Sequence, residues 1–157
     1  MNSRRQRLVK RKMSKEEIEF LLGTDLFESC PEEARKILLS SMAAKEVPAG
    51  EIFIRQGQPA RNFYLIQKGS CLVSFERDGE SFPVSRLKSG DLVGEMAILT
   101  GEKRNANVQA ETDVLLWRIS RHEFEQLCLA YPPIRDFLTD IVSSRFAQSK
   151  FTTDRII

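Results

Sequence analysis

Gly90-Asp91-Leu92-Val93-Gly94-Glu95-Met96-Ala97-Ile98-Leu99-Thr100-Gly101-Glu102-Lys103-Arg104-Asn105-Ala106-Asn107-Val108 sets a glycine, a carboxylate and an arginine at spacings suited to holding a ribose phosphate. Gly94 has no Cβ, so its backbone reaches positive φ and approaches a ligand at little steric cost. Met96-Ala97-Ile98-Leu99 then predicts one short helical turn, whose first N–H groups lack intrahelical partners and carry the positive end of the peptide dipole. Such a turn is a small anion site. Arg104, ten residues after Gly94, is a permanently charged planar fork that holds a phosphate by two parallel hydrogen bonds. Glu95 repels phosphate. It fits beside one by accepting hydrogen bonds from a sugar hydroxyl while Arg104 neutralises the local charge.

Outward from this stretch, the chain reads as strands in the middle and helices at both ends. The runs Ile52–Ile54, Phe63–Ile66, Cys71–Phe75, Phe82–Leu87, Asn107–Ala110 and Val114–Ile119 are apolar or alternating and are separated by glycine-bearing turns. Their recurrence at intervals of roughly ten residues predicts an all-β sandwich or barrel. Asp78-Gly79 predicts a tight hairpin, and Pro83 then belongs on an edge or at a bulge. Ser14 with Glu17 reads as a capping box opening a helix to about Leu22, and Cys30-Pro31-Glu32-Glu33 opens another to about Ala43. Ser120 with Glu123 opens a third, stopped at Pro132-Pro133. Ile134, Phe137, Leu138, Ile141, Val142 and Phe146 share one helical face, predicting a last helix that lies on the barrel. The fold class is therefore mainly β with flanking helices.

Three segments in order carry a family likeness: Val47 to Ala60 (VPAGEIFIRQGQPA), Phe63 to Ser70 (FYLIQKGS) and Gly90 to Ala97 (GDLVGEMA). From about Leu26 to Phe146 the chain resembles the cyclic nucleotide-binding domain, the family of the catabolite activator protein, the regulatory subunits of cyclic-AMP-dependent kinase and the cyclic-nucleotide-gated channels. The resemblance implies a jelly-roll β-barrel with N-terminal helices and a C-terminal lid helix. It also implies a phosphate-binding cassette over 94–108, with Glu95 on the ribose 2′-hydroxyl. Gly94, the backbone amides from Glu95 through Met96 to Ala97, Arg104 and the Ala106 amide would hold the cyclic phosphate, and Asn105, the residue after the arginine, would bear on the choice of base. Val73, Val84, Leu92 and Val108 would form apolar walls for the base. Lys103 stands where the family often has proline, and Asn105 and Asn107 stand where it often has serine or threonine. The expected ligand is cyclic AMP rather than cyclic GMP, with no cofactor and no metal. The helix from Ile134, with Phe146 and Phe151, would close over the base and relay binding to an effector protein or domain. The alternative is a degenerate domain that keeps the fold as a protein interaction module and binds no nucleotide.

Composition fits one soluble domain: 157 residues, 41% hydrophobic and 29% charged, with no apolar run near the roughly 20 residues needed to span a bilayer and no signal-peptide pattern. A cytoplasmic location is expected. Cys30, Cys71 and Cys128 have no metal-ligand spacing and read as reduced, apolar thiols. With one histidine, the chain lacks the ligand set of a metal-dependent jelly-roll enzyme, and no catalytic residue is expected. Residues 1–13 carry +6, leaving −4 on residues 14–157. The binding domain is thus 14–157, and the basic tail 1–13 is the candidate for a weak membrane or polyanion contact. The eleven residues after Phe146 are too few for a helix-turn-helix, so no direct DNA binding is expected. A homodimer is compatible with the sequence.

Overall fold

The computed structural model describes residues 6–148, apart from the side chains at positions 96, 99, 141, 142 and 144–148. Its elements run β1 (Arg7–Val9), α1 (Lys15–Leu22), α2 (Asp25–Ser29), α3 (Glu32–Ser41), β2 (Ala43–Val47), β3 (Ile52–Ile54), β4 (Asn62–Lys68), β5 (Ser70–Arg77), β6 (Glu80–Lys88), β7 (Leu92–Val93), α4 (Glu95–Thr100), β8 (Asn107–Ala110), β9 (Val114–Ser120), α5 (Arg121–Ala130) and α6 (Pro132–Gln148). The strands form two antiparallel sheets in the orders β1-β2-β9-β4-β7 and β3-β8-β5-β6. The expected barrel is therefore a pair of facing open sheets, because the edge strands of one sheet are not hydrogen-bonded to those of the other.

β4 explains how two cores share one strand. Phe63 and Leu65 point to one side, into a cluster with Leu21, Phe27, Leu38, Trp117, Phe124, Ile134 and Leu138. Tyr64 and Ile66 point to the other, into the space between the sheets with Val47, Ile54, Val73, Val108 and Leu116. A strand covered on both faces is apolar throughout, which is why Phe63–Ile66 shows no polar alternation. The expected hairpin forms: Asp78 and Gly79 have φ of 53° and 80°, the paired left-handed conformations of a type I′ turn. Pro83 lies on edge strand β6, where the register to β5 shifts between Val73 and Ser74.

The helices differ in detail from the sequence expectation. α1 has its capping box, with the Ser14 hydroxyl accepting from Glu17 N and Glu17 accepting from Ser14 N. α3 ends at Ser41, because Ala43–Val47 pairs with β9 from Ala43↔Arg118 to Val47↔Val114. Sheet pairing overrides the helix propensity of Ala43 and Ala44. α6 carries the expected stripe through Ile134 and Leu138, both fully buried, with Phe137 packed on the same cluster. Its main neighbours are α2, α4 and α5, so it lies on a helical layer rather than directly on a sheet. The side chains of Ile141, Val142 and Phe146, and all of Phe151, lie outside the described residues.

Part of the basic segment is built into the fold. Arg7–Val9 extends the five-stranded sheet beside β2, Arg7 pairs with Glu46 at 3.2 Å, and Gln6 Nε2 donates to Ile52 O at 2.7 Å. Arg11 stacks over Trp117, 5.3 Å from the ring centroid, and donates twice to the Glu17 carboxylate. These bonds from Arg11, helped by the Ser14 amide, hold the Glu17 carboxyl at about 2 against an ordinary 4.5. A depressed carboxyl pKa stabilises the fold fully above the unfolded value and loses that contribution as pH falls through the folded one. Protection of the amides at residues 7–14, taken relative to intrinsic exchange rates, is therefore expected to fall between pH about 4.5 and about 2, ahead of the core strands. Glu17→Gln should abolish that pH dependence.

Candidate functional site

The chain turns from β7 into α4 at Gly94, whose φ is 83°. The position is closed to other residues for a second reason: a Cβ there would lie 2.6 Å from Arg104 Nη1 and 3.0 Å from Ile54 Cδ1. Arg104 is thus seated on the glycine itself. Its Nη1 donates to Gly94 O at 2.6 Å and its Nη2 donates to Asn62 O. The β3–β4 loop clamps its backbone, with Arg104 N donating to Gln58 O at 2.9 Å and Gly57 N donating to Arg104 O at 2.7 Å.

Arg104 is 8% exposed and Glu95 1%. Burial draws the Arg104 pKa down, while Tyr64 and Glu95 act in the opposite direction. Tyr64 is pushed up by burial and drawn back by Arg104 and Arg118. A cavity of about 170 Å³ opens beside this arginine, lined by Phe53, Ile54, Arg55, Gln58, Pro59, Arg61, Asn62, Tyr64 and Arg104. Three of these side chains are arginines and none is acidic. The cavity is suited to an anion.

Of the residues expected to bind ligand, Arg104 lines this cavity and the others stand around it or apart. Ala106 and Val108 are buried between the sheets with Val73, and Val84 packs against the same cluster. Asn105 is exposed, and the Asn107 side chain accepts from Gln56 N at 2.8 Å, bracing the loop that holds Arg104. Ala97 and Leu92 belong to the other cluster, beneath the helices. Leu92's neighbour Val93 faces the inter-sheet space. No described residue of α6 lines the cavity. The other lining residues, Phe53, Ile54, Arg55, Gln58, Pro59, Arg61, Asn62 and Tyr64, were not among those expected from the sequence, and Asn62 contributes a backbone carbonyl to Arg104.

Among the described residues, no group of His, Cys, Asp and Glu could hold a metal ion, and no helix is long and apolar enough to cross a membrane. The model of the cyclic nucleotide-binding domain matches residues 44–131, more than half of the chain and all of the strand framework from β2 to β9. The chain belongs to that family. This cyclic nucleotide-binding domain is 34% identical over 119 residues to the cAMP-dependent protein kinase regulatory subunit of Aspergillus fumigatus, covering 76% of this chain and 28% of the relative. It thus spans well under half the length of the curated relatives it matches.

Among solved structures, the domain is similar to the regulatory subunit of a cAMP-independent protein kinase A from Trypanosoma brucei, at TM-score 0.74 and 27% identity over 86% of this chain and 50% of that one. It is also similar to the regulatory domain of Toxoplasma gondii protein kinase A solved with cAMP, at TM-score 0.71 and 28% identity over 86% of this chain and 51% of that one. The family is regulatory rather than catalytic.

Proposed function

We propose that this domain, residues 14–157 with the basic segment 1–13 appended, is a cytoplasmic cyclic-nucleotide sensor. Arg104 holds the cyclic phosphate, Glu95 the ribose 2′-hydroxyl, and α6 carries the signal to an effector. The observation that carries the reading is the state of Arg104. Its buried guanidinium donates only to the carbonyls of Gly94 and Asn62 among the described residues, in a cavity without an acidic side chain. Burial draws the Arg104 pKa down despite the nearby Glu95 carboxylate, so the buried charge is only partly balanced, and an anionic ligand relieves the remaining cost. Cyclic AMP is the first ligand to test, because relatives and a structural neighbour carry it in their names. A kinase catalytic subunit is the first effector to test for the same reason.

The relay rests on contact between α4, which follows Gly94 directly, and α6. Ligand can shift α6 only by its differential affinity for two positions of that helix. Cyclic AMP at a hundredfold excess over its Kd is expected to stabilise the fold by about 2.7 kcal/mol and to slow amide exchange at 94–108 and through α6. Slowing confined to 94–108 would leave binding without a relay.

A ribose contact at Glu95 has its own signature. A 2′-deoxy cyclic nucleotide should bind more weakly by about 1.5–3 kcal/mol, the worth of a hydrogen bond to a charged group. Glu95→Gln should shrink the gap. An unchanged gap would assign the hydroxyl to another residue.

One observation favours the interaction-module alternative: Arg104 and Asn107 already have protein partners. Under that reading the folded protein gives no saturable binding of any cyclic nucleotide.

A further inference from the structure

Between the end of β1 at Val9 and the start of α1 at Lys15 the chain runs Lys10-Arg11-Lys12-Met13-Ser14, without helix or strand and exposed apart from the half-buried Met13. Three cations thus precede an exposed hydroxyl, at four, three and two residues before it. Ser14 Oγ accepts from Glu17 N at 3.1 Å, which leaves its second lone pair for attack on an electrophile. The capping role explains Ser14 but not the cations before it. Lys10 and Lys12 are exposed, and neither has a carboxylate within ion-pair distance among the described residues. An arginine three residues before a serine, flanked by lysines, is the charge pattern that an acidic kinase groove selects. The run lies beyond the last pair of β1, Val9↔Ala44, so only the first turn of α1 must open for it to lie extended in such a groove.

The same residues are arranged to receive the product. Glu17 Oε1 accepts from Ser14 N and from Arg11 Nη1, each at 2.8 Å, so Ser14 and Arg11 flank one carboxylate oxygen. A phosphate on Ser14 Oγ would place its oxygens beside that carboxylate, with up to twice its charge. From Lys10 to Glu17 the side chains sum to +2, which a phosphoserine of about −2 brings close to zero. Both contacts open to Arg11 are charge-assisted, and the phosphate brings the larger charge and the extra acceptor.

We propose that Ser14 is a phosphorylation site for a serine kinase selective for basic residues before the hydroxyl, and that the phosphate takes Arg11 from Glu17. Ser14 Oγ attacks the γ-phosphorus of ATP, the bond from that phosphorus to the β,γ-bridging oxygen breaks, ADP leaves and the hydroxyl proton passes to the kinase's base. The exchange of partners makes the junction of β1 and α1 a switch, since Arg11 lies over Trp117 of β9 and within the field of Glu46 of β2. None of these residues lines the cavity at Arg104, so the site stands or falls apart from cyclic-nucleotide binding.

The full chain, incubated with ATP and the catalytic domain of a serine kinase that requires arginine three residues before the hydroxyl, tests the site by mass spectrometry. Phosphate on Ser14 is expected, with none at that position in Ser14→Ala and a rate about 10- to 100-fold lower in Arg11→Ala, the worth of one hydrogen-bonded charge. An unmodified wild type, or phosphate on other residues alone, would overturn the site. For the exchange of partners, phosphoserine is installed at position 14 during synthesis of the full chain and its phosphorus resonance is followed against pH. The second ionisation should lie below the ordinary value of about 6 in the wild type. It should return to that value in Arg11→Ala, where Glu16, Glu17 and Glu46 oppose Lys10, Lys12 and Lys15 around the phosphate. Arg11→Gln serves if the alanine variant does not fold. A wild-type value at or above about 6, or one unchanged by loss of Arg11, would show that Arg11 stays with Glu17 and overturn the switch.

Discussion

Replacing Arg104 by alanine is expected to cost about 3–5 kcal/mol of binding, roughly 10²- to 4 × 10³-fold in cyclic-nucleotide affinity. The size follows from where the guanidinium sits. It is buried against Gly94 and Asn62, which fix two of its N–H groups, and its remaining donors are available to the cavity. A phosphate bound there without that charge would be desolvated and unpaired. Arg104→Lys should recover only part, because an ammonium cannot bridge two carbonyls and a phosphate in one plane. Titration of wild type and both variants, with a melt to show that each is folded, checks this. Equal affinity in wild type and Arg104→Ala would place the ligand elsewhere.

Trp117→Ala is expected to destabilise the fold by about 3–5 kcal/mol, the usual cost of emptying a large aromatic site in a core. Trp117 is 1% exposed in the cluster beneath the helices. Its indole N–H donates to Gln67 Oε1 at 2.8 Å and its ring carries Arg11. The substitution therefore opens a cavity, orphans Gln67 and releases the N-terminal strand together. Urea unfolding measures the loss as a lower midpoint. Trp117→Phe should cost less, since most of the apolar area is kept and only the hydrogen bond is lost. A loss below about 1 kcal/mol in Trp117→Ala would mean that β1 and the helices are not held to the sheet through this residue.

Features fixed by local chemistry were legible in the sequence. Ser14 with Glu17 has one good use three residues apart, and Asp78-Gly79 has one good backbone conformation. The spacing from Gly94 to Arg104 was legible as well, and the structure brings those two residues into direct contact. What depends on distant pairing was not. Arg7-Leu8-Val9 has no alternation long enough to announce a strand, and it becomes one because β2 offers a free edge and Glu46 a partner for Arg7. In a two-residue strand such as β7, nothing in the pattern sets the phase of the side chains, so which of Leu92 and Val93 faces the inter-sheet space was not legible. Asn62 serves through its carbonyl, which no side-chain motif records. Lys45 and Arg118 carry the opposite lesson. A cation in an alternating strand ordinarily marks the solvent face, and here both share the inner face with Tyr64.

The central claim is that a folded chain binds a cyclic nucleotide through Arg104. Isothermal titration of the full chain with cyclic GMP and cyclic AMP, repeated on Arg104→Ala, tests it most directly. Saturable one-to-one binding in the wild type that disappears in the variant is the predicted result. No heat with either nucleotide in a folded wild type, or a binding curve unchanged by the loss of Arg104, would contradict it.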